Sequence, residues 1–78
     1  MKPKQTHVVM VAFKPDMLHL NILVLNVQRC KLSALDSILN VCRNLKCLNA
    51  SRNNIKNIVS LPEVNIPSSL EELHLSFN

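Results

Sequence analysis

Three cysteines and three histidines have the most chemical reach in this sequence: Cys30, Cys42 and Cys47, with His7, His19 and His74. A thiol nucleophile needs a neighbouring base or cation, and a zinc site needs ligands in close pairs such as C-x(2)-C and H-x(3-5)-H. The cysteines are spaced C-x(11)-C-x(4)-C and the histidines stand far apart, so the sequence offers neither a zinc spacing nor a catalytic Cys–His pair. Cys47 is the thiol expected to be exposed, without an evident activator. No glycine is present, which rules out a Gly-rich phosphate loop. The residue types therefore point away from catalysis, metals and cofactors.

Composition narrows the class further. A chain of 78 residues, 47% of them hydrophobic, suits one small unit that is marginal unless stapled. An odd cysteine count without a convincing secretory signal favours a reducing compartment, hence a cytoplasmic setting. The apolar run at residues 8–13, VVMVAF, is too short for a signal-peptide core, lacks a small-residue cleavage site and ends at a charge. Residues 17–27 are apolar but too few and too polar to span a bilayer. All nine Lys and Arg lie at or before Lys56, while Glu63, Glu71 and Glu72 follow it, so the body is basic and the end acidic. Only Phe13 and Phe77 are aromatic, which disfavours a nucleic-acid surface.

The elements that must position these groups follow a repeat. Residues 45–55 read L-K-C-L-N-A-S-R-N-N-I, with Leu45, Leu48, Ala50, Asn53 and Ile55 at places one, four, six, nine and eleven. Ile22, Leu25, Val27, Cys30 and Leu32 hold the same places 23 residues earlier. Leu70, Leu73, Leu75 and Asn78 hold them 25 residues later. A competing start at Leu20 would put Gln28 at the ninth place, which fits poorly, so the Ile22 register is preferred. The pattern resembles the leucine-rich-repeat signature L-x-x-L-x-L-x-x-N/C-x-L, and the Ile55, Ile58 spacing resembles the intracellular subclass.

Between the first two copies, Leu35, Ile38, Leu39 and Cys42 make one helical stripe. A helix over 33–44 is predicted, with Ser33 and Asp36 as a capping box and Asn44 ending it in a left-handed turn. After the second copy, Pro62 and Pro67 forbid a regular helix and predict an extended or 3₁₀ segment. Residues 1–6 should fray. Residues 8–13 read as a strand that pairs beside the first repeat as an N-terminal cap. Without glycine, Asn53, Asn54 and Asn78 are expected to serve the left-handed turn positions.

The resemblance implies an α/β fold: a short solenoid with parallel strands on its concave face, and one short helix and one extended or 3₁₀ segment on its convex face. Residues 1–16 would be a tail and capping strand. Residues 17–78 would be the repeat segment, its copies starting near 22, 45 and 70 and the last incomplete. Strand alternation turns Leu25, Val27, Leu48, Ala50, Leu73 and Leu75 inward. The resemblance implies that Asn53 and Asn78 form a ladder of hydrogen bonds to adjacent turns, with Cys30 a weaker third rung. The concave surface would carry Val24, Asn26 and Gln28, then Cys47, Asn49 and Ser51, then Glu72, His74 and Ser76. Arg29 and Arg52 would stack into a basic edge, and Lys46 would pair with Glu71.

The functional expectation is a non-enzymatic module that binds a protein partner through this face, without nucleic acid, membrane span or cofactor. Family members are commonly scaffolds or regulators in the cytoplasm, nucleus or cilium. The open C-terminal repeat edge offers self-association. The alternative is a truncated gene product or fragment of a larger repeat scaffold with no independent function, since solenoids need about three repeats and a cap.

Overall fold

Residues 24–26, 47–49 and 72–74 each set one apolar side chain between two outward ones, and each triplet forms a strand: β2 (Val24–Asn26), β3 (Cys47–Asn49) and β4 (Glu72–His74). A fourth, β1 (His7–Val9), precedes them. In the computed structural model, which describes residues 5–56 and 66–78, the four run parallel in the order β1-β2-β3-β4.

The register aligns Val8, Leu25, Leu48 and Leu73 in one row. Starting the pattern at Ile22 requires the Leu25–Leu48 pairing; the Leu20 start would have set Leu23 opposite Leu48. Leu25 and Leu48 are fully buried, whereas Val8 and Leu73, at the two ends of the row, are partly buried. Each fully buried leucine contributes about 1.5–3 kcal/mol through the water it excludes.

Backbone pairing continues past these short strands. Met10 N–H donates to Asn26 O (2.8 Å), Val27 N–H to Asn49 O (2.9 Å) and Ala50 N–H to His74 O (2.9 Å). Arg29 and Arg52 extend the pattern by donating to Ser51 O and Ser76 O. Lys46 and Glu71 meet here through backbone, Glu71 N–H donating to Lys46 O (2.8 Å), and their side chains form no ion pair. The apolar run at 8–13 is strand only over His7–Val9; beyond Met10, which is buried, the chain bends away and Phe13 packs partly buried against the core.

Helix α1 spans Asp36–Val41, and its buried Ile38 and Leu39 belong to the same core as Leu25 and Leu48. The stripe Leu35, Ile38, Leu39 and Cys42 is buried throughout, as its spacing required. The ends differ from the expected 33–44. Leu32 and Leu35 are both buried before the helix begins, so the chain descends into the core before it winds. Leu35 is the N-cap and no side chain caps it, which leaves Ser33 outside the helix. Asn44 is not left-handed; its Nδ2 donates to Leu20 O (3.1 Å).

Left-handed backbone falls instead at Arg29, Lys31, Arg52 and Phe77, with φ between 57° and 59°. Asn53, Asn54 and Asn78 do not take it. The reversal lies one residue ahead of Asn53 and Asn78, whose carboxamides are engaged elsewhere. The expected extended or 3₁₀ segment falls largely on residues 57–65, outside the described residues, as does the start of the N-terminal tail at 1–4. Among the described residues, no helix is long and apolar enough to cross a membrane.

Candidate functional site

Two polar systems flank the row of leucines: a buried one along the turns and a half-exposed one on the open face of the sheet. In the buried one, Asn53 is 6% exposed and sits at the centre. Its Oδ1 accepts from Cys30 N–H (2.8 Å) and Leu32 N–H (3.0 Å). Its Nδ2 donates to Val27 O (2.9 Å), Ala50 O (2.9 Å) and Ser51 O (3.2 Å). The left-handed Lys31 lies between the two donors that converge on Oδ1, a concave backbone arrangement suited to holding one oxygen.

Asn78 repeats the geometry one station on. Its Oδ1 accepts from Ile55 N–H (3.0 Å), and its Nδ2 donates back to Ala50 O (3.0 Å) and to Leu75 O (2.9 Å). Cys30 does the same with sulfur: its thiol donates to Met10 O (3.4 Å) and Gln28 O (3.6 Å). A thiol is a weak donor, so this rung is the feeblest of the three.

On the open face, one row aligns His7, Val24, Cys47 and Glu72, and the next aligns Val9, Asn26, Asn49 and His74. Val24, Asn26, Cys47 and Asn49 are half-buried, while Glu72 and His74 are exposed. Gln28 is half-buried and Ser76 exposed. Ser51 departs from its expected place on the surface. It is buried, and its hydroxyl accepts from Ser76 N–H (3.2 Å), because the chain has already turned inward towards Asn53.

The asparagines of this face are not free polar groups either. Asn26 Oδ1 accepts from Gln28 N–H (2.9 Å) and Asn49 Oδ1 from Ser51 N–H (3.1 Å), turns that end each strand. Asn49 Nδ2 then donates to Gln28 Oε1 (3.3 Å). Arg29 and Arg52 occupy equivalent left-handed turns, but they do not form a purely basic edge. The Arg52 guanidinium lies 4.4 Å from the centroid of the Phe77 ring, and Phe77 holds the same place in the third copy. Phe77 was legible in the eighth-place spacing Arg29, Arg52, Phe77; Val9 and Val11, which are also exposed, carried no such signal.

All three thiols are raised above their ordinary value. Burial pushes Cys30 up, and pushes Cys42 up against a smaller opposing hydrogen bond from the His19 backbone. Cys47 is raised by desolvation first, then by the Glu72 carboxylate beside it, through its charge and a hydrogen bond. His74 Nε2 lies 3.8 Å from Glu72 Oε1, so Glu72 stands between His74 and Cys47, where its carboxylate adds to the desolvation that raises the thiol. Among the described residues, no three His, Cys, Asp or Glu side chains converge as a metal site would require. No family model matches the chain, and no curated protein or solved structure matches it either.

Proposed function

We propose that this chain is a short leucine-rich-repeat solenoid of the intracellular type, acting as a non-enzymatic protein-interaction module through the open, concave face of its sheet. The observation that carries the reading is the repeated asparagine rung. Asn53 and Asn78 each take a backbone N–H from the preceding turn on Oδ1 and return Nδ2 to the preceding strand's end. A repeat that can satisfy its turns only through its neighbour has a reason to stack, and stacking leaves one polar sheet face uncovered. The upward push on the Cys47 thiol, by desolvation and then by Glu72, supports binding over catalysis on that face. A cytoplasmic setting, with nucleus or cilium as variants, goes with three free thiols.

The test places a photo-crosslinking amino acid at His74, on the open face, or at Asn40, on the exposed side of α1. Protein adducts are expected from position 74 alone, suppressed by excess unlabelled chain. Equal labelling from both positions, or none from position 74, refutes the reading. One observation favours self-association as a second reading: among the described residues β4 pairs with β3 alone, with Leu70, Leu73 and Leu75 only partly buried beside it. Sedimentation that is independent of concentration would dismiss it.

A further inference from the structure

At the β1 end of the open face lies a shallow depression of about 560 Å³, lined by Val9, Met10, Val11, Asn26, Gln28 and Arg29. Its hydrogen-bonding polarity is fixed by backbone donors, because a backbone N–H can only donate. Gln28 N–H therefore commits the oxygen of Asn26 inward and leaves Asn26 Nδ2 outward. Ser51 N–H likewise commits the oxygen of Asn49, so Asn49 meets Gln28 through its nitrogen. That bond engages Gln28 Oε1 and leaves Gln28 Nε2 outward. Among the described residues, Asn26 Nδ2, Gln28 Nε2 and the Arg29 guanidinium donate to nothing within the chain.

Both amide oxygens already serve the chain, whereas these donors do not. A ligand that pairs these donors brings acceptors, and beside the cationic Arg29 a carboxylate is the strongest one available from a protein. The other wall is aliphatic, with Val9 74% and Val11 93% exposed. No aromatic ring lines the depression to stack a base, which favours a peptide over a nucleic acid. Resting on the interaction-module reading, we infer that this corner binds a segment of a protein partner in which an Asp or Glu lies next to an aliphatic side chain. The carboxylate sits on Arg29, Gln28 and Asn26, and the aliphatic group covers Val9 and Val11. The chain's excess of basic over acidic residues, net +4, suits such a partner.

The test uses the whole ¹⁵N-labelled chain and three probes: a short capped peptide alternating leucine with glutamate, its glutamine analogue, and a thymidine oligonucleotide. The glutamate peptide is expected to shift the side-chain amide signals of Asn26 and Gln28 and to bind about 10-fold or more tightly than the glutamine analogue, the scale of a charge-assisted hydrogen bond. Arg29→Gly removes the guanidinium while tolerating the left-handed turn, and is expected to weaken binding by a similar factor. Lys46→Gln removes a cation on β3's side of the sheet and should leave binding unchanged. Equal binding of both peptides, preference for the oligonucleotide, indifference to Arg29→Gly, or no shift at all overturns the inference. Shifts confined to the Glu72 and His74 end overturn it while leaving the interaction module standing, and the crosslink at position 74 decides that reading separately.

Discussion

Replacing Asn53 with Ala removes one carboxamide and leaves several backbone groups without partners. Cys30 N–H and Leu32 N–H lose their only acceptor, and Val27 O loses its bond from Nδ2. Asn53 is 6% exposed, so water cannot readily replace what is lost. Each buried unsatisfied donor costs about 1–3 kcal/mol, so the variant should lose about 3–5 kcal/mol. A chain of this length has about 4–12 kcal/mol in total. Asn49→Ala is the control, because it deletes the same side chain from a half-buried place where it serves one backbone donor, Ser51 N–H, against two for Asn53; it should cost about 1 kcal/mol. Urea unfolding followed by circular dichroism separates the two. With a slope of about 1 kcal/mol/M, Asn53→Ala lowers the midpoint by about 3 M or abolishes the folded baseline, and Asn49→Ala lowers it by about 1 M. If the two variants lie within about 0.5 kcal/mol of each other, the carboxamide of Asn53 does not hold the turns together and the argument from satisfied backbone fails.

Three further outcomes follow from the same geometry. Lys31 stands at φ 58°, where a side chain costs about 1–2 kcal/mol relative to glycine, offset by the greater freedom of an unfolded glycine; Lys31→Gly should raise the melting temperature by a few degrees, and a lower one refutes the strain. Burial raises the thiols of Cys30 and Cys42 above the ordinary 9.0, so the folded state keeps protons that the unfolded state releases. Stability is therefore full below pH 9 and falls as pH rises through the raised values, and Cys42→Ala should flatten that decline in melts between neutral and alkaline pH. Glu72 contributes to the protonation of Cys47, so Glu72→Gln should speed alkylation of Cys47 by iodoacetamide at pH just below 9, and an unchanged rate would remove Glu72 as the cause.

The parts legible in the sequence were those set by local periodicity. Alternation in 24–26, 47–49 and 72–74 fixed which side chains share a row, and the spacing of Leu35, Ile38, Leu39 and Cys42 fixed the buried stripe of α1. The helix ends were overdrawn because capping residues compete with burial. Ser33 could have capped, but burying Leu35 decided where the chain starts to wind. The turns misled for a related reason. Without glycine, asparagine is the natural choice for a left-handed position, yet the carboxamides of Asn53 and Asn78 serve better as rungs, and the strain moved to Arg52 and Phe77 beside them. β1 lies 17 residues before β2 and has no rung residue; only its β-branched run indicated a strand there. The polarity of the face could not be read from sequence at all, because an asparagine exposes oxygen or nitrogen according to which backbone group faces it.

That last point joins stability to recognition. Asn26 and Asn49 end their strands by accepting from the backbone two residues on, and the fold needs both oxygens for this. The consequence on the surface follows from geometry: an amide whose oxygen is turned to the backbone presents its N–H hydrogens to a partner. Two strands made this way, bridged from Asn49 to Gln28, produce a face rich in donors before any partner is considered. Arg29 adds charge to a polarity already set, and Glu72 with His74 at the far edge breaks it. The two ends of one small sheet therefore differ in what they can bind, and the difference arises from the turns that hold the sheet together.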